Sequence, residues 1–233
     1  MNESASIGTQ KFGLWCSWIF SLLTVIGWLG LAHFYQPAPA DLGFEATKIW
    51  FTQTHRWGVI LGCSIFYIAC AFLVPASIQF GIMLAKIEGK WPLWSITTAI
   101  SGLFISLIVF FNACAWIVCA YRPEFGADVV QAFSDWAWMA FLLGWAYLAL
   151  EMLATGIVEL QDKREKPMIP RWLTWATFAG SFMLLGAGGP AFFQSGAFAY
   201  HGLLGFYVPM AIWGIYLNLT AWYMYKELDR EAA

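Results

Sequence analysis

Charged residues are scarce in this chain. Lys, Arg, Asp and Glu make up 11% of its 233 residues, whereas 61% of the residues are hydrophobic. A soluble domain usually carries about one quarter charged residues, so too few charges are present to cover a water-facing globule. No basic tract of the kind that binds nucleic acid occurs either. The composition therefore argues against a soluble domain and against a nucleic-acid-binding protein, and it indicates a membrane protein.

Redox and metal motifs are also missing from the sequence. The five cysteines form no C-x-x-C pair, and the three histidines show neither H-x-x-x-H nor H-E-x-x-H spacing. A cysteine without such a motif usually behaves as a small packing residue. We therefore expect Cys16, Cys63, Cys70, Cys114 and Cys119 to be packing residues.

Six long apolar runs dominate the sequence. A helix needs roughly 20 apolar residues to cross a bilayer core, and the runs approach or exceed this length. Their apolar residues are continuous rather than alternating, which favours helices over a β-barrel. We therefore predict an all-α, polytopic transmembrane helical bundle that forms a single domain over residues 1–233. The six predicted spans are residues 12–34, 57–85, 92–121, 134–160, 172–188 and 198–225.

The basic residues predict the orientation of these spans. Nine of the twelve Lys and Arg residues lie in the N-terminal segment, the second and fourth gaps and the C-terminal segment, whereas the first and third gaps hold three. Cytoplasmic loops carry the excess of Lys and Arg, so we predict that both termini are cytoplasmic and that the protein spans the inner (plasma) membrane. The first span is longer than the roughly 7–15-residue apolar core of a signal peptide, and we expect it to be retained.

One face of the fourth span is small and polar. Counting in helical steps places Gly144, Tyr147, Glu151, Thr155 and Glu159 on this face, which we expect to point into the bundle. An ionisable group in the hydrocarbon costs about 2.5–3.5 kcal/mol on insertion scales. Glu151 is therefore a candidate catalytic acid, proton relay or ligand anchor, or alternatively a protonated side chain hydrogen-bonded to a neighbouring helix. We expect Glu159, near the cytoplasmic end, to be solvated.

Several other polar and aromatic residues lie within or beside the spans. The deep residues Trp28, Trp145 and Trp213 either line a pocket for a flat apolar ligand or pack against other helices. Pro75 and Pro209 interrupt helical hydrogen bonding inside their spans, and such kinks often surround cavities. The candidate ligand-binding residues are Trp28, Tyr67, Asn112, Asp135, Trp145, Tyr147, His201 and Trp213.

All three histidines fall on the predicted outer side. His33, His55 and His201, with Asp135 at the same level, are candidate ligands for a divalent metal or, as a pair, for a haem. The alternative is that the histidines lie at the membrane interface and that Asp135, after Ser134, begins a helix. The sequence assigns no cofactor.

Four short segments resemble a bacterial family of six-span integral membrane proteins. These are Tyr121-Arg-Pro-Glu124, Asp135-Trp-Ala-Trp138, Ile169-Pro-Arg-Trp172 and Ser195-Gly-Ala-Phe198 with Gly202. The resemblance covers the chain from about residue 55 onward. It implies a six-span topology and no particular activity.

A second similarity is one of type only. Small integral-membrane terpene cyclases are similar in size, rich in aromatic residues and dependent on an acid, a role that Glu151 would fill here. They typically have one more span. Microbial rhodopsins are disfavoured because every Lys lies outside the central membrane, so none can form the retinal Schiff base.

The leading hypothesis is therefore an intramembrane pocket that binds, carries or modifies a hydrophobic lipid- or isoprenoid-like small molecule. Three alternatives remain: a structural subunit of a larger membrane complex, a terpene-cyclase-like enzyme that uses Glu151 as acid, and a haem- or metal-binding protein. The expected partners are membrane lipids, such a small molecule and other membrane proteins, and not nucleic acid.

Overall fold

The computed structural model describes residues 3–232, and these residues are 81% helical and contain no strand. Eight α-helices follow one another along the chain: α1 (Glu3–Leu23), α2 (Phe44–Ile49), α3 (Arg56–Glu88), α4 (Leu93–Tyr121), α5 (Ala127–Leu143), α6 (Trp145–Gln161), α7 (Arg171–Met183) and α8 (Val208–Ala232). Wider π-helical turns extend three of them, at Thr24–Leu31, Trp50–Thr54 and Leu203–Tyr207. The predicted all-α class is confirmed.

Five helical segments within residues 3–232 are long and apolar enough to cross a membrane. They are Ile7–Leu31, Arg56–Glu88, Leu93–Tyr121, Ala127–Gln161 and Leu203–Ala232. They correspond to the first, second, third, fourth and sixth predicted spans, so the prediction of a multi-pass membrane protein is confirmed at this level.

The fifth predicted span, residues 172–188, has a different structure. Its α-helix α7 ends at Met183 after 13 residues, and the chain continues as a 3₁₀ helix over Leu184–Ala191. Three glycines and Pro190 explain the change, because both residue types are poor formers of an α-helix interior. Helix α7 alone, at about 20 Å, is shorter than the bilayer core of about 30 Å.

The start of the fourth span was predicted wrongly. Helix α5 begins at Ala127 after Gly126, so Asp135 lies inside the helix instead of opening it. Asp128 occupies the first turn, where a negative charge is favourable. The predicted span is also divided, because α5 ends at Leu143 and α6 begins at Trp145, after Gly144.

The start of the sixth span was likewise placed too early. The helical turns begin at Leu203, so His201 lies in the preceding turn and not in a helix. Residues 198–202 instead fold back, and the N–H of Leu204 bonds to the carbonyl of Ala197 over 2.8 Å.

The bundle packs around helices α3 and α4, which run against each other. Helix α1 packs on α3 and α8, and α6 packs on α4 and α7. The approach of the first span to α3 depends on Gly58 and Gly62, because a Cβ atom at either position would overlap the backbone of Leu31 or Gly27. Close approach of small residues is a common way in which membrane helices associate.

Aromatic rings fill one half of the core. Trp28 stacks on Phe66 with ring centroids 5.1 Å apart, and Trp116 lies 4.8 Å from Trp138. Trp138 in turn stacks on Tyr200 at 5.3 Å. The first span, α3, α4, α5 and the segment before α8 therefore meet in one aromatic cluster.

Candidate functional site

The carboxyl group of Glu151 lies inside the bundle, as the polar face of its helix predicts. Its side chain is directed from α6 toward α3, α4 and α8, and the residue is only 4% exposed. A small cavity of about 10 Å³, close to the size that holds one water molecule, lies beside it. The cavity is lined by Leu73, Ser77, Phe80, Gly102, Ile105, Glu151, Trp213 and Leu217.

Three helices supply hydroxyl groups around this carboxyl group. The hydroxyl of Tyr216 on α8 donates a hydrogen bond to Oε1 of Glu151 over 3.3 Å. The same hydroxyl lies 2.9 Å from the hydroxyl of Thr155, one turn further along α6. Thr155 lies 3.2 Å from the hydroxyl of Thr98 on α4. Glu151 is thus the end of a hydrogen-bonded row that joins three helices.

The second carboxyl oxygen of Glu151 faces a position where only glycine fits. A Cβ atom at Gly102 would lie 3.5 Å from Oε2 of Glu151 and would overlap the Ser77 side chain. Gly102 therefore lets α3 and α4 approach each other next to the carboxyl group. This glycine forms part of the cavity wall and leaves Oε2 room for a partner.

Two apolar crevices adjoin this region. One, of about 30 Å³, is lined mainly by α4, α6 and α8 and includes Ile105, Trp145 and Leu148. The other, of about 160 Å³, lies between α1, α3 and α8 and includes Trp28 and Phe66. Trp213 lines both crevices and also the cavity of Glu151. The cavity of Glu151 therefore shares one wall, Trp213, with two apolar crevices.

The structure places some of the predicted pocket residues in the crevices and others outside them. Trp28, Trp145 and Trp213 line the crevices, although Trp28 also packs within the aromatic cluster. Tyr67 and Tyr147 are 38% and 41% exposed and lie outside the Glu151 cavity. Including Tyr147 in an inward-facing stripe was wrong, because its ring stacks on Phe104 on the outer surface, at 4.9 Å.

Asn112 is also buried, at 1% exposure. Neither polar atom of its side-chain amide has a hydrogen-bond partner among the described residues. It lies one turn before Trp116 on α4, so it borders the aromatic cluster and does not line the Glu151 cavity.

The prediction that Glu159 is solvated was wrong. This residue is 1% exposed, and neither carboxyl oxygen has a hydrogen-bond partner among the described residues. The segment that leads into α7 covers it: Arg171 donates from Nη1 to the backbone carbonyl of Glu159 over 2.6 Å. Nothing in the local sequence predicts that this segment buries Glu159.

The four candidate metal ligands do not form one cluster. His33 and His55 face each other with ring centroids 4.6 Å apart, and burial and the neighbouring His33 lower the pKa of His55. His201 accepts a hydrogen bond at Nδ1 from the N–H of Ala40 (3.0 Å), and Asp135 accepts one from Gln131 (2.8 Å). Within residues 3–232, no group of three or more His, Cys, Asp or Glu side chains could hold a metal ion.

Ion pairs gather at the end of the bundle where α6 and α8 finish. Arg164 pairs with Asp162 over 2.7 Å and also with Glu227, which in turn pairs with Arg230. Burial alone would raise the pKa of Asp162, but hydrogen bonds from Arg164 and from the backbone N–H groups of Met168 and Arg164 outweigh it and lower the pKa to about 2.

The end of α8 also pairs with two earlier helices. Asp229 binds Lys11 of α1 over 2.6 Å, and Glu231 binds Lys86 of α3 over 2.7 Å. The ring of Tyr225 lies 5.2 Å from the Lys11 ammonium group, which adds a cation–π contact. The sequence does not predict these pairs, because their members lie 218 and 145 positions apart along the chain.

Comparison of the chain with models of protein families, with curated proteins and with solved structures finds no match.

Proposed function

We propose that this protein binds a hydrophobic, lipid- or isoprenoid-like small molecule inside its helical bundle, with Glu151 as the polar contact. One observation carries the proposal: a buried carboxyl group lines a cavity, and Trp213 of that cavity also lines two apolar crevices. Ligand sites are commonly apolar clefts with a few placed polar groups. Ionisable residues inside membranes are costly and usually mark a functional site.

The geometry suits a molecule with one polar end and an apolar body. The polar end would bind Oε2 of Glu151 beside Gly102 and Ser77, and the apolar body would extend along Trp213. A protonated carboxyl group donates one hydrogen bond and accepts others, so it can bind a hydroxyl or a carbonyl group. The binding or carrying function needs no further chemistry.

A second candidate is a terpene-cyclase-like enzyme, which the aromatic rings beside Glu151 favour. Phe80 and Trp213 both line the cavity of the carboxyl group. In this version Glu151 gives its proton to a carbon–carbon double bond of the ligand, which becomes a cation, and Glu151 becomes a carboxylate. Ring faces stabilise positive charge, and transfer of a proton from the cation back to the Glu151 carboxylate forms a new double bond and completes the cycle.

We also propose six membrane crossings with both termini in the cytoplasm of an inner membrane. The alternation of basic residues supports the orientation. Helix α7 and the 3₁₀ helix that follows hold 13 and 8 residues, which together extend about 36 Å, enough for a sixth crossing. The resemblance to six-span bacterial proteins agrees with this count.

Photolabelling in mild detergent tests the binding proposal. An isoprenoid alcohol carrying a diazirine and an alkyne should label residues of the two crevices, including those near Trp213. Labelling by a fatty acid that carries the same groups shows whether the site prefers a lipid-like or an isoprenoid-like molecule. We expect Trp213→Ala and Glu151→Leu to reduce labelling severalfold, because one removes the shared wall and the other the polar contact.

Trp222→Ala is the matched control, because Trp222 belongs to the same helix but lies 46% exposed on its outer surface. This variant should label like the wild type. Labelling confined to outer residues, and unaffected by Trp213→Ala, would overturn the pocket. Turnover of the isoprenoid by purified protein would distinguish the enzyme from the carrier, and a stable larger assembly without labelling would favour a subunit role.

A further inference from the structure

The hydrogen-bonded row at Glu151 is buried along its whole length. Thr98 and Thr155 are 0% exposed, and Tyr216 is 2% exposed. Threonine hydroxyls in helices commonly bond back to the carbonyl four residues earlier, as Thr97 does to Leu93 over 2.8 Å. Thr98 and Thr155 bond each other across two helices instead. Their arrangement links α4, α6 and α8 through side-chain oxygens.

A second set of hydrogen bonds begins at the end of α3. The carboxylate of Glu88 accepts hydrogen bonds from the hydroxyl and the N–H of Ser95, over 2.7 and 2.8 Å, and from the N–H of Trp94 over 2.9 Å. Glu88 is partly exposed, and Gly89 and Lys90 beside it are exposed. Ser95 is 1% exposed and lies one helical turn before Thr98 on α4.

We propose that these side chains form a proton path from Glu88, at the end of the bundle, to Glu151 in its interior. The order is Glu88, Ser95, Thr98, Thr155, Tyr216 and Glu151. Each hydroxyl accepts a proton on its oxygen and releases its own proton to the next oxygen, so one proton moves and every hydroxyl is restored after rotation. The inference rests on the proposed role of Glu151 as the polar group of the pocket.

One step is longer than a direct hydrogen bond. Ser95 and Thr98 are three positions apart on α4, an axial rise of about 4.5 Å, so this step needs a single bridging water or a side-chain rotation. A bridging water needs polar partners, and the two hydroxyls would provide them. Every other step of the path is a hydrogen bond of 2.7–3.3 Å.

Glu159 offers a competing entrance, because it lies one turn beyond Thr155 on α6. It is only 1% exposed, whereas Glu88 is partly exposed, so Glu159 has less contact with water. The nearby Arg171 donates to the backbone carbonyl of Glu159 and to that of Asp162. The geometry therefore favours Glu88 over Glu159 as the entrance.

Hydrogen–deuterium exchange of the Glu151 carboxyl proton tests the path directly. Infrared spectroscopy follows the carbonyl band of the protonated carboxyl group after transfer to heavy water, at a pH low enough to protonate it. Loss of the band in Glu151→Gln assigns it. We expect Thr155→Val and Tyr216→Phe to slow its exchange by on the order of tenfold, and Thr155→Ser, which keeps the hydroxyl, to restore the wild-type rate.

Thr220→Val is the matched control for local loosening. Thr220 is buried on α8, one turn after Tyr216, and its hydroxyl has no hydrogen-bond partner among the described residues. In Thr220→Val the carboxyl proton of Glu151 should exchange at the wild-type rate. Equal exchange rates in wild type, Thr155→Val and Tyr216→Phe would overturn the path. Slowing in Thr220→Val as large as that in Thr155→Val and Tyr216→Phe would also overturn it.

Two further variants locate the entrance. Slower exchange in Glu88→Gln, with wild-type exchange in Glu159→Gln, supports the proposed route, and the reverse result overturns it. Isoprenoid photolabelling of Thr155→Val separates this inference from the binding proposal. Slowed exchange in a protein that binds no probe would leave the proton path standing and remove the pocket.

Discussion

The hydroxyl of Tyr216 on α8 donates a hydrogen bond to Oε1 of Glu151 on α6. Replacement of Glu151 by Gln keeps an acceptor oxygen for this bond and nearly the same shape. We therefore expect Glu151→Gln to melt close to the wild-type temperature in detergent. Glu151→Leu should lose about 1–3 kcal/mol of stability, because it leaves the Tyr216 hydroxyl without this acceptor.

Stability and function measured side by side separate the two roles of this residue. If Glu151 acts as an acid or a proton relay, the Gln variant should lose activity or its dependence on pH while it stays folded. Full activity of a stable Gln variant would contradict a role of Glu151 as acid or proton relay and leave it a hydrogen-bonding or packing residue.

The glycines where α3 meets the first span provide a steric prediction. A Cβ atom at Gly62 would overlap the carbonyl oxygen of Gly27 and the backbone nitrogen of Ala32. Gly62→Val should therefore force the first span away from α3 and cost about 1–3 kcal/mol in thermal or denaturant unfolding.

Gly214→Ala is its control, since a Cβ there would meet no atom within 4 Å. Alanine favours helix over glycine by about 0.5–1 kcal/mol, so this variant should be as stable as the wild type or slightly more stable. Equal melting of Gly62→Val and wild type would show that the first span does not pack as closely as described.

The Asp162 ion pair predicts a pH dependence of stability. The pKa of Asp162 is about 2 in the folded protein against an ordinary value of 3.8. Because the folded-state pKa is the lower one, its stabilisation is fully present above pH 3.8 and is lost as the pH falls toward 2. Asp162→Asn should thus melt below wild type at neutral pH, and the difference should shrink across this acidic window.

Asp229→Asn serves as the comparison, because the Asp229 side chain is 52% exposed whereas that of Asp162 is 3% exposed. Surface pairs contribute little, so its melting temperature should differ little from wild type. A difference between Asp162→Asn and wild type that stays constant down to pH 2 would contradict the assignment.

Reporter fusions test the orientation. Fusions after residues 90, 166 and 233 should report the cytoplasm, and fusions after residues 42, 127 and 195 the opposite side. The pair at 166 and 195 also examines whether residues 171–191 cross the membrane. Reports from the same side at these two positions would leave five crossings.

Local sequence was sufficient to identify five long apolar helices and insufficient for some of their ends and for their partners. Continuous apolar residues identify a membrane helix wherever they occur, because the requirement to satisfy the backbone in lipid is local. The partners of Glu151 and Thr155 are Tyr216 and Thr98, which lie 65 and 57 positions away along the chain. Only packing of the helices brings these side chains together.

The same reason explains the wrong expectations. Glu159 was expected in water because it is near a helix end, yet the chain leading into α7 folds over it. Tyr147 has the helical spacing of an inward residue, but a neighbouring ring, Phe104, holds it on the outer surface. Helical spacing identifies a shared face and does not indicate which neighbour covers it.

The ion pairs at the end of α8 have a consequence for biogenesis. Among the described elements α8 is translated last, and its Asp229 and Glu231 bind cations on α1 and α3, which are made much earlier. During synthesis Lys11 and Lys86 therefore remain unpaired with these carboxylates while the intervening helices enter the membrane. The contacts of α8 with α1 and α3 therefore form only after the helices between them have been made, whereas α1 and α3 can pack on each other much earlier.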